Sequence, residues 1–286
     1  MKNLLFRILL VVIALPLLIS AALFLPMFNH AVLALIIILF SAGSALELIR
    51  IMSNGNVVGR VRFLTGLCII APGVLLHLAG LMVQPTALEL FGFAALGFLG
   101  IGGLALLPLT FATPLEKLPA ALERLKTFLF SLGYIYFPAM LLLIMLTSSV
   151  HVGYLVLWFC LIVFSNDSAA WLFGMTLGRH RGFLKVSPNK SIEGFIAGMA
   201  ASIGAAILGN FWFQFTDKLL VVLLLGLFCG LTGIIGDLFE SAIKRSFGVK
   251  DSGTSIPGRG GFLDSYDSIM FAVYPFFITL LVLDIL

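Results

Sequence analysis

The chain has 286 residues, 61% of them hydrophobic and 10% charged, against roughly 45–50% apolar and about 25% charged in an ordinary soluble domain, which excludes a water-soluble fold. Nine apolar runs of about 20 residues would use roughly 180 positions and leave about 100 for connections, so an all-α, polytopic helical membrane protein without a sizeable extramembrane domain accounts for the length. The formal charge of +4 comes from 17 Lys and Arg against 13 Asp and Glu, and the absence of a basic stripe interleaved with aromatics argues against a nucleic-acid partner.

In chain order the apolar stretches cover approximately residues 5–27, 30–49, 63–84, 87–112, 127–147, 150–177, 192–215, 219–240 and 269–285. Each is long enough to cross a hydrocarbon core of about 30 Å as a helix, which predicts about nine spans. The breaks Asn29-His30, Gln84-Pro85-Thr86, Thr147-Ser148-Ser149 and Thr216-Asp217-Lys218 read as turns. With the N-terminus on the cytoplasmic side, alternate connections collect 16 of the 17 basic residues and leave Lys218 alone on the opposite face. Positive loops resist translocation, so span count and charge parity support each other. Residues 1–25 also permit a signal-peptide reading, with Lys2 and Arg7 as its positive region and Ser20-Ala21-Ala22 as its small-residue site. The continuation Leu23-Phe24-Leu25 favours an uncleaved first helix.

Cys68, Cys160 and Cys229 each stand alone in an apolar run and read as packing residues. The scattered histidines His30, His77, His151 and His180 argue against a histidine metal site. Gly194 with Gly198, and Gly226 with Gly230, are small-residue pairs that let helices approach closely.

Ionisable residues are scarce in the spans up to Val150, whereas Asp167, Glu193, Asp237, Glu240, Asp251, Asp264 and Asp267 lie beyond it. Charge within a membrane is costly and marks function by default. Residues 1–150 therefore read as about five packing spans, and residues 151–286 as the catalytic region with its cytoplasmic loops. Asp237, Glu240, Ser241 and Lys244, at i, i+3, i+4 and i+7, share one helix face. Read structurally, the same stripe is a Glu240–Lys244 ion pair with Asp237 bonded to a neighbouring helix. Arg245, Lys250, Asp251 and Arg259 then punctuate a glycine-rich loop that includes Gly260 and Gly261, and Asp264, Asp267 and Ser268 repeat the polar spacing at the next helix start.

Carboxylates on two helix ends flanking such a loop suit Mg²⁺, which is usually completed by water and substrate phosphates. Glycines let backbone N–H groups approach phosphate oxygens, and Lys and Arg neutralise them. The pattern therefore suggests a metal-bound polyphosphate. It is not a P-loop, because Thr254 follows Gly253 where the essential Lys would stand. A second basic segment, Gly178 to Gly194, contains Ser187, Lys190 and Glu193, with Ser191 resembling a helix start. Asn166 and Asp167, late in the sixth span, read as a polar pair between helices.

Ser241-Ala242-Ile243-Lys244-Arg245, Lys250-Asp251-Ser252-Gly253 and Pro257-Gly258-Arg259-Gly260-Gly261-Phe262-Leu263-Asp264-Ser265-Tyr266-Asp267 together resemble the signature of the phosphatidate cytidylyltransferases, the CDP-diacylglycerol synthases. Gly236-Asp237-Leu238-Phe239-Glu240 and Ser187-Pro188-Asn189-Lys190-Ser191-Ile192-Glu193-Gly194 match the same family. The resemblance covers residues 150–286 well and the first half only in being apolar. It implies transfer from CTP to phosphatidate, a membrane lipid, giving CDP-diacylglycerol and pyrophosphate. It also implies a bacterial inner (plasma) membrane location with the site facing the cytoplasm. Asp237 and Asp264 would hold Mg²⁺, alone or with a monovalent cation such as K⁺, with Asp251 and Asp267 as nearby carboxylates. Lys244, Arg245, Lys250 and Asp251 would be catalytic, and Ser187, Lys190, Glu193, Ser241, Arg259, Gly260 and Gly261 would bind substrate.

Two positions depart from the pattern, since the family normally has His where Arg259 stands and Arg where Ser265 stands. Arg259 could supply the displaced charge, or the pair could mark a paralogue acting on another lipid phosphate. A transporter is the rival from another class, although it predicts polar residues near the midplane of several spans rather than at one face. A homodimer is left open.

Overall fold

A computed structural model describes residues 2–55, 59–111, 113–148 and 151–286, with the side chains of residues 2–11 and of Arg60 outside the description. The described residues form nine α-helices: α1 (Lys2–Phe24), α2 (Met27–Met52), α3 (Gly59–Val83), α4 (Ala87–Phe111), α5 (Leu118–Ser148), α6 (Val152–Thr176), α7 (Ile192–Phe213), α8 (Leu219–Ser246) and α9 (Leu263–Val282). A 3₁₀ turn, Leu115–Lys117, precedes α5, and no β-strand occurs among the described residues.

Eight of these helices, α2 to α9, are long and apolar enough to cross a membrane, while α1 contributes the shorter apolar stretch Val12–Phe24. The chain is a polytopic helical membrane protein. Part of the charge argument, resting on the side chains of Lys2, Arg7 and Arg60, lies outside the described residues, as does Ser149 of the expected fifth-to-sixth break. The expected break at Asn29-His30 falls where Phe28, Asn29 and His30 leave right-handed helical geometry, with φ of 51°, 50° and 55°.

The helices outrun the apolar stretches at their polar ends. α5 starts at Leu118 rather than near 127, α8 continues to Ser246 rather than 240, and α9 starts at Leu263 rather than 269. Hydropathy marks the lipid-immersed part of a helix, whereas Glu, Lys, Arg and Leu all favour helix wherever they are placed. Asp237 and Glu240 of α8 and Asp264 and Asp267 of α9 therefore stand on helix rather than on loop.

Burial is concentrated in α5, where Leu132, Ile135, Tyr136, Leu143 and Ile144 are fully enclosed, and in Trp158 of α6 and Phe276 of α9. The indole N–H of Trp158 donates to the Ala206 carbonyl of α7 at 3.0 Å. Small residues set the spacing of α6, α7 and α8, as the sequence implied. A Cβ on Gly194 would lie 2.7 Å from the Ala170 carbonyl oxygen, and one on Gly226 would lie 2.6 Å from the Ile203 Cα. These close approaches bring the C-terminal end of α6, the start of α7, the end of α8 and the start of α9 to one end of the bundle.

Candidate functional site

Four segments meet at that end. Ser191 caps α7, its Oγ accepting the Gly194 N–H at 3.1 Å, so the helix starts where the sequence suggested. The preceding loop folds back on this start through backbone hydrogen bonds from Ile192 N–H to the His180 carbonyl and from Gly182 N–H to the Pro188 carbonyl. That fold presents Lys190, whose Nζ lies 2.5 Å from Asp237 Oδ2 on α8. The Lys190 ammonium also sits 5.8 Å from the Phe195 ring centroid, a cation–π contact that helps fix its direction.

Two turns further along α8, Lys244 is sandwiched between two carboxylates. It pairs with Glu240 on its own helix and, at 2.6 Å, with Asp264 Oδ1 at the start of α9. Glu240 is 0% exposed and Lys244 9%, so these charges compensate one another inside the protein. Asp264 Oδ2 accepts the backbone N–H groups of Ser252 at 2.8 Å and Gly261 at 2.7 Å, and the loop between α8 and α9 is thereby wrapped around one carboxylate. The N-terminal position of Asp264 on α9 also places its charge favourably in the helix dipole. Gly260, at φ +111°, brings the backbone so close to Asp264 that a side chain there would strike the carboxylate.

These groups surround a cavity of about 540 Å³. Its lining includes the charged residues Asp167, Lys190, Asp237, Asp251, Arg259 and Asp267, with Arg181, Asn189, Lys244, Asp264, Ser265 and Ser268 beside them. Interspersed with these are the apolar side chains Phe164, Trp171, Met175, Phe195, Ile234 and Ile269. Asp167 lies within electrostatic reach of Asp237, Arg259 and Lys190, and Asp267 of Asp237, Glu240 and Asp167. Ser268 links the first and last of these aspartates: its hydroxyl donates to Asp167 Oδ1 at 3.3 Å, and its N–H donates to Asp267 Oδ1 at 2.7 Å.

Several residues expected in the site stand elsewhere. Arg245 is exposed, and its guanidinium donates to the Val249 carbonyl at 3.0 Å, closing the end of α8. Lys250 is exposed, Ser241 half-buried, and neither lines the cavity. Ser187 shapes the turn before Lys190, its carbonyl accepting the Lys190 N–H at 3.2 Å. Glu193 is engaged by His180, whose Nδ1 lies 2.5 Å from Oε1, so it braces the loop rather than facing the cavity. Gly260 and Gly261 serve Asp264 rather than presenting free N–H groups. Lys244 does reach the wall, but as the holder of Asp264.

The sequence reading missed Asn189 and Arg181 as wall residues, and it assigned Asp167 no role beyond a polar pair. Asn166 does behave as expected, its Nδ2 donating to the Gly230 carbonyl of α8 at 2.9 Å. Nor did that reading see Glu47 of α2, which accepts hydrogen bonds from the Ser252 and Ser255 hydroxyls, each at 2.8 Å, and from the Leu263 N–H at 3.0 Å. A carboxylate inside an apolar run was its available signal. The division into packing and catalytic halves therefore does not separate the site, because α2 belongs to both.

Among the described residues no three His, Cys, Asp or Glu side chains converge on one point as a protein-only metal cage. Mg²⁺ is ordinarily held by one or two carboxylates and completed by phosphate and water, and Asp237 and Asp267, which line the same cavity, fit that requirement. Asp237 is paired with Lys190, and both oxygens of Asp264, the carboxylate expected beside it at the metal, are taken up by Lys244 and by the Ser252 and Gly261 N–H groups.

A family model described as the cytidylyltransferase family matches residues 6–283. The chain belongs to this family. It is 40% identical over 142 residues to a protein of Staphylococcus haemolyticus named phosphatidate cytidylyltransferase, a match covering 50% of this chain and 52% of the relative. Proteins of the same name from Staphylococcus aureus strain COL and Bacillus subtilis strain 168 are 43% identical over 118 residues and 41% identical over 124. Those matches cover 41% and 43% of this chain and 45% and 46% of the relatives. The chain thus spans about half the length of the curated relatives it matches. Family membership extends across α1 to α9, including the first half, where the sequence signature is silent.

Proposed function

We propose that the cavity carries out cytidylyl transfer from CTP to phosphatidate, giving CDP-diacylglycerol and pyrophosphate. The observation that carries this reading is the mixed lining of one cavity: carboxylates interleaved with Lys190 and Arg259, together with Phe164, Trp171, Met175 and Ile269. A polyphosphate nucleotide suits the charged groups and the glycerolipid portion of a phospholipid suits the apolar ones. The family and the names of its matched members support the same reading.

In the reaction, a phosphate oxygen of phosphatidate attacks the α-phosphorus of CTP. The new P–O bond forms as the bond from the α-phosphorus to the bridging oxygen breaks, and the electron pair leaves on pyrophosphate. No protein nucleophile is needed, since the attacking phosphate is already anionic. Asp237 and Asp267 would hold Mg²⁺, with or without a monovalent cation such as K⁺, and the metal would neutralise the charge developing on the phosphates. Lys190 and Arg259 bind phosphate oxygens, the guanidinium by paired charge-assisted hydrogen bonds. Asp251 stands at the cavity mouth on the same loop as Arg259. Lys244 acts through Asp264, fixing its carboxylate and with it the loop that carries Arg259. Ser265, which lines the same cavity as Arg259, leaves room for the guanidinium where the family pattern has a second large cation.

Membranes containing the protein, supplied with labelled CTP, Mg²⁺ and phosphatidate, are expected to form a labelled lipid, and chelation of the divalent cation is expected to abolish it. A labelled product from another lipid phosphate, with none from phosphatidate, would replace the substrate in this reading. No labelled lipid from any phosphate would overturn it.

The site is further proposed to face the cytoplasm from an inner (plasma) membrane, because the loops carrying Arg181 and Arg259 hold the basic residues that resist translocation. In a background lacking Cys68, Cys160 and Cys229, single cysteines at Arg181 and Thr254 are expected to resist an impermeant thiol reagent in intact cells, and one at Asp217 to react. Labelling at position 181 or 254 from outside would reverse the orientation.

A further inference from the structure

We propose that Glu47, which does not itself line the cavity, is a positioning residue that clamps the α8–α9 loop and so holds Asp264 and Arg259 in place; the inference deepens the cytidylyl-transfer reading and rests on it for its kinetic arm. Glu47 is 8% exposed on α2, beside the buried Ala45, Leu48 and Ile49. A carboxylate so placed is costly unless hydrogen bonds compensate it. Its donors all come from the loop and the first residue of α9: Ser252 and Ser255 within the loop and Leu263 at its exit. One side chain thus fixes both ends of the segment from Ser252 to Leu263, which contains Arg259.

The loop is shaped to receive it. A Cβ on Gly253 would lie 2.5 Å from Glu47 Oε1, and one on Gly261 would strike Oε2, so these two glycines make room for the carboxylate. This is a different requirement from close approach of backbone to phosphate. The same face of α2 continues the seat. The Phe262 ring packs where Gly43 has no side chain and stands edge-on to Phe40 with centroids 5.1 Å apart. Phe40, Gly43 and Glu47 recur at helical spacing, which puts them in one row.

Ser252 connects the clamp to the site. Its hydroxyl oxygen lies 2.8 Å from Glu47 Oε2 and 2.9 Å from Asp264 Oδ2. A hydroxyl has one proton to donate. Donation to Glu47 turns a lone pair of Oγ towards Asp264, whose own N–H stands 3.3 Å away as its donor. Donation to Asp264 would place a third hydrogen bond on Oδ2 and withdraw negative charge from the carboxylate. The two carboxylates thus share this hydroxyl, and loss of the Glu47 charge would leave Asp264 as its charged acceptor.

The test uses the full chain in detergent, in the background without native cysteines, with Thr254→Cys in the exposed part of the loop as reporter and Asp217→Cys as a remote control. Glu47→Ala removes a charged acceptor of several hydrogen bonds, so labelling at position 254 is expected to accelerate about tenfold or more while position 217 is unchanged. Glu47→Gln can still accept from Ser252 and Leu263 and donate to Ser255, so its labelling rate is expected within about threefold of the parent. Ser255→Ala, which leaves α2 intact, is expected to accelerate labelling at 254 by a few-fold and serves if Glu47→Ala does not fold. In turnover, Glu47→Ala is expected to lower kcat and raise KM for CTP together, and Glu47→Gln to lower kcat with KM nearly unchanged. Unchanged labelling at 254 in both Glu47→Ala and Ser255→Ala, or equal acceleration at 217, would overturn the clamp. Absence of CTP turnover in the parent would overturn the reaction while leaving the labelling to decide the clamp.

Discussion

Asp237→Asn is expected to lower turnover of CTP and phosphatidate by about 10²-fold or more while leaving the protein folded, the scale usual when a charged group that stabilises a phosphoryl transition state is lost. Asp237 lines the cavity and is half-buried, and its hydrogen-bond partner among the described residues is Lys190 at 2.5 Å. The amide keeps the side chain's size and removes one negative oxygen, so the packing of α8 does not change. Asp264→Asn is a less selective change. The Asp264 carboxylate accepts from Ser252 N–H, Gly261 N–H and Lys244 at once, so an amide N–H₂ must oppose one of these donors. That variant is expected to lose turnover and also to loosen the loop, visible as faster labelling at position 254, whereas Asp237→Asn leaves labelling as in the parent. Thermal unfolding in detergent separates the two further, with a lowered midpoint for Asp264→Asn alone. Turnover of Asp237→Asn within a few-fold of the parent would move the chemistry away from this carboxylate.

The spans were legible because a bilayer demands about 20 apolar residues per crossing, and that demand leaves its mark on composition. Their polar ends were not, since hydropathy ceases to report helix where the lipid stops. The α8 stripe shows both outcomes. Helical spacing correctly placed Asp237, Glu240 and Lys244 on one face, yet Ser241 lies some 40° round the helix from Asp237 and does not line the cavity. Basic residues were read as phosphate ligands wherever they neared the glycines. The structure shows why type alone is insufficient: Arg245 is engaged by the Val249 carbonyl, and Lys244 is neutralised by two carboxylates before any substrate arrives. Glu47 was illegible for a different reason. Its partners Ser252, Ser255 and Leu263 lie more than 200 positions away, and spacing rules describe neighbours on one element.

The buried triad of Glu240, Lys244 and Asp264 carries the largest expected effect on stability. Lys244→Ala leaves Glu240, with no exposure, and Asp264 facing each other without their shared cation. Removing one partner of such a buried pair costs about 3–5 kcal/mol. The loss should appear as a markedly lowered unfolding midpoint in detergent, together with collapse of turnover, because Asp264 Oδ1 loses the group that orients it. Adding Glu240→Gln removes the stranded charge as well, and the double variant is expected to regain part of the lost stability. Turnover should not return with it, since nothing then replaces the ammonium on Asp264. Such non-additivity in stability, unaccompanied by recovery of activity, separates a residue that positions a carboxylate from one that contacts phosphate directly. A phosphate-binding lysine with no structural duty would show the reverse: Lys244→Ala would fold as well as the parent, and Glu240→Gln on top of it would destabilise or do nothing.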